Sequence, residues 1–258
     1  MLEVGIVQPK NSTNILFKNT IDASMAAIAF WLIGYGFAFG DDYEGFIGKT
    51  NFGCNLIHNG DDNAGKTGGS DGWQSWFFQW AFTGAAATIV AGSICERAKI
   101  EAYFFYSFVI SGFIYPVVVH WCWGKGLLSA WGAFPDADGV ARPIFSKTTN
   151  SNGLIDFAGS GVVHMVGGFS GLMGALVLGP RKGRFVDGQV VEMAPGNKIL
   201  QSLGVFCLWF GWYGFNCGST LLVVGYANLA GMPTTLRARL HYRAPADTDE
   251  PLNDDVAE

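Results

Sequence analysis

Asp156-Phe157-Ala158-Gly159-Ser160-Gly161-Val162-Val163-His164-Met165-Val166-Gly167-Gly168 opens an apolar run that continues to Gly179, and Asp156 and His164 are its ionisable residues. About 20 apolar residues in helical form cross a bilayer core, so 156–179 reads as a membrane span. An ionisable side chain inside such a span is costly and marks a functional candidate. His164 is eight residues into the run, about 12 Å along a helix, which is close to mid-membrane. Asp156 stands where a carboxylate caps free N–H groups and meets the positive end of the helix dipole. Eight positions are slightly more than two turns, so Asp156, Ser160 and His164 share roughly one face. Gly167, Gly171, Ala175 and Gly179 recur every fourth residue and form a ridge for close helix approach. Spacing favours His164 as a pore or proton-handling residue and leaves a histidine bonded across the bundle as the other reading.

Four more stretches are long and apolar enough to span, at about 21–40, 74–95, 101–123 and 199–224. Lipid offers no partners to free backbone groups, so spans of this length are helices. The fold class is therefore all-α, a polytopic membrane helical bundle. Composition agrees: half of the 258 residues are apolar, 14% are charged, and mean hydropathy is +0.26. A soluble chain carries about 25% charged residues. A net charge of −5 gives no footing for nucleic-acid binding. No cleavable signal peptide is expected, because Met1 to Lys10 lacks a basic start followed by an apolar run. Residues 1–231 read as one membrane domain. Residues 232–258, with Pro233, Pro245, Pro251 and a run of acids, read as a divergent, disordered polar tail.

Basic residues set the orientation. Lys10 and Lys18 precede the first span, Arg97 and Lys99 separate the second and third, and Arg181, Lys182, Arg184 and Lys198 separate the fourth and fifth. These segments alternate along the chain and belong on the cytoplasmic side. The 41–72 loop, with Asp41, Asp42, Glu44, Asp61, Asp62 and Asp71, falls outside, and 124–155 shares that side. Trp73, Trp76, Trp121, Trp123 and Trp131 lie near the outer ends, where amphipathic rings suit the headgroup layer.

Several motifs fail on context. Residues 60–67 match the P-loop pattern, but Gly68-Gly69-Ser70-Asp71-Gly72 follows where a helix is required, and Asp61 and Asp62 would repel phosphates. Asn11-Ser12-Thr13 matches a glycosylation acceptor on the wrong side of the membrane. His58, His120 and His241 lack metal-ligand spacing. Cys54, Cys95, Cys122, Cys207 and Cys217 form no C-x-x-C pair, and four of them lie in or beside apolar runs as buried thiols. An intramembrane hydrolase needs a catalytic set that is not apparent, so no enzyme is expected. In the fifth span, Phe215 and Ser219 are one turn apart and share a face. On spacing alone the Gly214-x-x-x-Gly218 packing seam accounts better for Phe215.

Phe210-Gly211-Trp212-Tyr213-Gly214-Phe215-Asn216-Cys217-Gly218-Ser219, together with Asp156 to Arg184, resembles the Amt/Mep/Rh ammonium transporter family. Phe78-Gln79-Trp80-Ala81-Phe82 running on to Glu96-Arg97, and Asn11 to Gly40 with Trp31-Leu32-Ile33-Gly34-Tyr35-Gly36, are similar to further segments of that family. The match covers about residues 3–222 and spans two to six of an eleven-span subunit built from inverted repeats. The resemblance implies that Trp123 and Ser219 form an outer recruitment site for ammonium, supported by Asp156. Phe82 and Phe215 correspond to two stacked gating phenylalanines, and His164 to the first of two pore histidines. It implies ammonium or ammonia as substrate, methylammonium as analogue, a homotrimer in the plasma membrane, and no cofactor or metal. It leaves outside these 258 residues the first span, those after the sixth, and the second histidine. The alternative is a truncated, non-transporting subunit that associates with full-length ammonium transporters.

Overall fold

The computed structural model describes residues 1–57, 72–129, 134–135, 141–142 and 153–219. The P-loop-like stretch 60–67, His58, Trp131, His241, the end of the fifth span at 220–224 and the polar tail 232–258 lie outside the described residues. The helices are α1 (Leu2–Ile6), α2 (Pro9–Phe39), α3 (Trp73–Ile94), α4 (Ile100–Cys122), α5 (Ser160–Leu178) and α6 (Lys198–Gly218). The helices α2, α3, α4 and α5 are long and apolar enough to cross a membrane. Two-residue strands pair antiparallel as β1 (Asp42–Tyr43) with β2 (Ile47–Gly48), β3 (Phe134–Pro135) with β4 (Ala141–Arg142), and β5 (Phe185–Val186) with β6 (Gln189–Val190).

The expected first span, 21–40, falls in a longer helix that begins twelve residues, more than three turns, earlier and ends at Phe39. Lys18, counted above as a loop charge, therefore falls inside α2 and is only 2% exposed. Its ammonium lies 4.0 Å from the centroid of the Tyr103 ring and donates to Ala98 O at 3.3 Å. One turn further on, Asp22 is fully buried and accepts from Tyr106 OH at 2.8 Å, while Ser107 Oγ donates to Asp22 O at 3.3 Å. These partners hold α2 against α4 and supply what lipid cannot. Further out, each helix carries a π-helical stretch, Phe30–Gly34 in α2 and Ile110–Ile114 in α4, and the two pack on each other.

The α3–α5 seam is built on glycine. A Cβ at Gly167 would lie 2.8 Å from Ile89 Cβ and 2.9 Å from Ala86 O, and one at Gly171 would collide with Ser93. Gly174, rather than Ala175, supplies the next close contact, 2.8 Å from Ile94 Cγ2. The ridge follows the helix round from the i+4 row to i+3, because 3.6 residues per turn does not sustain a strict four-residue stripe.

At the end of the bundle where the basic segments gather, Glu96 accepts from Gln8 N at 2.8 Å, Asn11 Nδ2 at 2.7 Å and Arg181 Nη1 at 2.5 Å. Arg97 donates to Gly179 O at 2.8 Å and Ser93 O at 2.7 Å. The segments before α2, after α3 and after α5 thus meet, which puts their cations on one side. The helix α1 caps this end of α6: Asn197 N donates to Gly5 O and Gly196 N to Val7 O, both at 3.0 Å. Asn197 also caps α6 by accepting from Leu200 N at 2.9 Å. The rest of α6 is largely uncovered, with Phe210 80% exposed. Cys207 and Cys217 consequently lie exposed on it, whereas Cys54, Cys95 and Cys122 are buried.

Burial pushes the Glu96 carboxyl up, but hydrogen bonds from Asn11 and Gln8 and the Arg181 guanidinium outweigh it and hold it below the usual range. A lowered carboxyl contributes stability that is present above the ordinary carboxylate pKa and lost as pH falls through the folded value. Thermal unfolding of the detergent-solubilised chain, followed by tryptophan fluorescence, is expected to shift down on acidification below about pH 4. Glu96→Gln is expected to lose about 2 kcal/mol at neutral pH and to flatten that acid response.

Candidate functional site

The site grows from the start of α5. The chain reaches this helix through Gly159, whose φ of +89° lies in the left-handed region that glycine adopts without strain. Asp156, three residues earlier, folds its carboxylate back over the helix end. Its Oδ1 accepts from Gly159 N at 2.9 Å and Ser160 N at 3.0 Å, and its Oδ2 from Gly161 N at 2.9 Å and Val162 N at 2.7 Å. Four orphan donors of a helix terminus are thereby satisfied by one side chain. The helix begins at Ser160, not at Asp156, because the intervening residues form the loop that lets the carboxylate reach back.

Its first turn, Ser160–Met165, is π-helical, and both Val163 N and His164 N donate to Gly159 O at 3.0 Å. His164 is therefore about 6 Å into the helix rather than 12 Å. Its half-buried ring lies nearly parallel to Trp212 of α6, with centroids 5.8 Å apart at 15°, and is 6.1 Å from Phe215.

From Phe215 the ring contacts continue to Phe82 of α3 at 4.4 Å and 58°, and from Phe82 to Trp123 at 5.5 Å and 81°. Phe82 is 3% exposed. The two phenylalanines are tilted against each other rather than stacked in parallel, an arrangement that suits the ring quadrupoles. Trp123 lies just past the end of α4, where its Nε1 donates to Asp156 O at 2.5 Å. One residue thus caps α5 with its side chain and anchors the indole with its carbonyl.

Trp123, Phe82, Phe215 and His164, drawn from four segments of the chain, stand in one file, with Asp156 behind its outer end. Ser219 joins it indirectly: its Oγ donates to Phe215 O at 2.7 Å, one turn back along α6. Two members escaped the reading of the sequence. Trp212 stacks on His164, and its position three residues before Phe215 on the same helical face was the available signal. Phe78, one turn before Phe82, packs on it at 4.7 Å and closes toward Gly218. Trp212 also borders a groove of about 610 Å³ along α6 with Trp209, Tyr213 and Asn216. No cluster of His, Cys, Asp or Glu that could hold a metal occurs among the described residues.

Asp156→Ala leaves four N–H groups without an acceptor and is expected to cost about 3 kcal/mol. Amide exchange at Gly161 and Val162 should accelerate while the α3 amides remain protected. Asp156→Asn keeps one acceptor oxygen and should fall between the two.

Comparison with known proteins places this architecture. The model of the Ammonium Transporter Family matches residues 1–240. The chain is 46% identical over 225 residues to putative ammonium transporter 1 member 5 of Arabidopsis thaliana, covering 86% of this chain and 41% of that protein. It is also 46% identical over 220 residues to ammonium transporter 1 member 3 of Oryza sativa subsp. japonica, covering 85% of this chain and 40% of the relative. Among solved structures it resembles a sensor Amt protein, with TM-score 0.70, 35% identity and coverage of 88% of this chain and 51% of the other. It resembles Mep2 of Saccharomyces cerevisiae with TM-score 0.59, 25% identity and coverage of 80% and 41%. The chain spans about two fifths of the length of these transporter relatives. With its run of apolar membrane-length helices and a family match across nearly its whole length, it is an integral membrane protein that belongs to the ammonium transporter family.

Proposed function

We propose that the chain moves ammonium, as the ion or as ammonia with its proton handled separately, along the file Trp123–Phe82–Phe215–His164. The observation that carries this reading is the unbroken sequence of ring contacts between the outer tryptophan and the histidine. A bare cation in the hydrocarbon core is expensive. Ring faces replace part of its hydration at about 0.5–2 kcal/mol each. Trp123 and Ser219 receive the ion at the outer end. Asp156 supports it as a fixed negative charge, because all four of its backbone bonds occupy the carboxylate and leave little for direct contact.

Beneath this point Phe82 and Phe215 touch, so passage requires one ring to swing aside, and the pair acts as a gate. The His164 imidazole lies past the gate, where a neutral ring accepts or relays a proton near physiological pH. Its stack on Trp212 holds the ring in place. The same reading puts the chain in the plasma membrane, in a homotrimer or beside full-length relatives, as a transporter without a chemical step or cofactor.

Uptake of labelled methylammonium by cells lacking their own ammonium transporters tests this. The chain should confer uptake above the vector control, and His164→Ala should abolish it. Trp123→Leu should weaken half-saturation about fivefold, the equivalent of about 1 kcal/mol of cation–π energy. Uptake no different from the vector, or undiminished in His164→Ala, would refute the proposal.

A further inference from the structure

His120, near the outer end of α4, is fully buried. Its Nδ1 is 3.0 Å from Ala38 O and its Nε2 is 2.8 Å from Asp42 Oδ1. A backbone carbonyl has no hydrogen to give, so Nδ1 carries one and donates it. A neutral ring then presents a bare lone pair at Nε2 to a carboxylate oxygen. Two acceptors at that distance repel unless a proton lies between them, either on Nε2, as imidazolium beside carboxylate, or on Oδ1, as an acid donating to a neutral ring. In both cases the closed pair holds one proton that a separated, neutral imidazole and ionised carboxylate do not.

The pair joins two parts of the outer surface. Asp42 opens the β1–β2 hairpin, and its two oxygens accept from Gly45 N at 3.0 and 2.9 Å. Trp121 Nε1 donates to Phe46 O, and Leu127 N to Gly45 O, both at 2.8 Å. The hairpin is thus fastened to the end of α4 by residues on either side of Trp123.

We propose that His120 and Asp42 form a one-proton lock, a proton-binding site that holds the hairpin on α4 and so fixes Trp123 over the aromatic file. The other ionisable groups near the pair are Asp41, Tyr43, Glu44 and Lys49 on and beside the hairpin, and Lys125 past the helix. Tyr115 and Cys122 lie on α4, Tyr35 on α2, Cys54 beside it, and Asp156 and His164 at the start of α5. The four surface charges among them cancel in sign. Because the closed state binds the extra proton, closing is favoured at lower pH and lost as pH rises, by about tenfold per unit beyond the titration. The role of Trp123 rests on the ammonium-pathway reading, whereas the lock itself does not.

Amide hydrogen exchange of the full chain in lipid nanodiscs, with each rate normalised to its intrinsic rate at that pH, reads the lock without any transport. In the parent, protection of Leu127 and Gly45 should fall about tenfold per pH unit above the transition. Asp42→Asn lets an amide N–H donate to a neutral Nε2, so protection should persist and lose its pH dependence. His120→Gln, which donates to Asp42 without a titrating ring, should do the same, and His120→Ala should be unprotected throughout. Protection of the Val90 amide in α3 checks that each variant is folded. Equal pH slopes in the parent and in whichever glutamine or asparagine variant is folded, or a hairpin in His120→Ala as protected as the parent's, would overturn the lock.

Discussion

The carboxylate of Asp156 fixes the start of α5, on which the aromatic file depends. A helix that starts within or near lipid presents N–H groups that no water reaches, and each unsatisfied one is costly. Asp156 takes four of them. With those donors occupied, the π turn that follows has a fixed starting point, and the direction of His164 follows from the turn. The carbonyl of the same residue receives the Trp123 indole. The histidine and the tryptophan, at opposite ends of the aromatic file, are therefore positioned by one loop residue, and glycine at 159 lets the chain bend tightly enough for it.

Two further ionisable side chains in the bundle each have a partner on a neighbouring helix. Lys18 and Asp22 are buried in α2, yet each meets a tyrosine of α4, one through its ring face and one through a phenol hydroxyl. Such contacts leave α2 and α4 little freedom to slide, because a shift of one turn would strand both polar side chains. The opposed π stretches further out add a second register mark.

Much of this was legible in the sequence, and the losses have physical causes. Length and apolarity located four of the five expected spans, α2 to α5, since a bilayer imposes a minimum on any helix that crosses it, whereas α6 over its described residues is not apolar enough to count among them. Asp156 was legible as a cap, and His164 as a candidate, because an ionisable group costs too much inside an apolar run to sit there without a role. The start of α5 was misplaced by one turn, because a side chain that reaches back hides the loop it spans. Lys18 was misread as a loop charge, since hydropathy cannot distinguish a lysine with an aromatic partner from one in water. His120 was set aside for lacking metal-ligand spacing. Its partner Asp42 lies 78 residues away and only the fold brings it near. Phe215, which spacing alone assigned to packing, does pack, between Phe82 and His164.

Glu96 has a consequence for how the chain is assembled. Its carboxylate gathers groups from Gln8, Asn11 and Arg181. Synthesis runs from the N-terminus, so the first two partners are already made when Glu96 leaves the ribosome, and the third arrives 85 residues later. During that interval α2 and α3 are already tied together at this end, while one carboxylate oxygen waits for its partner. The arrival of the guanidinium after the histidine-bearing span latches that span to its predecessors, so the order of translation is also the order of closure.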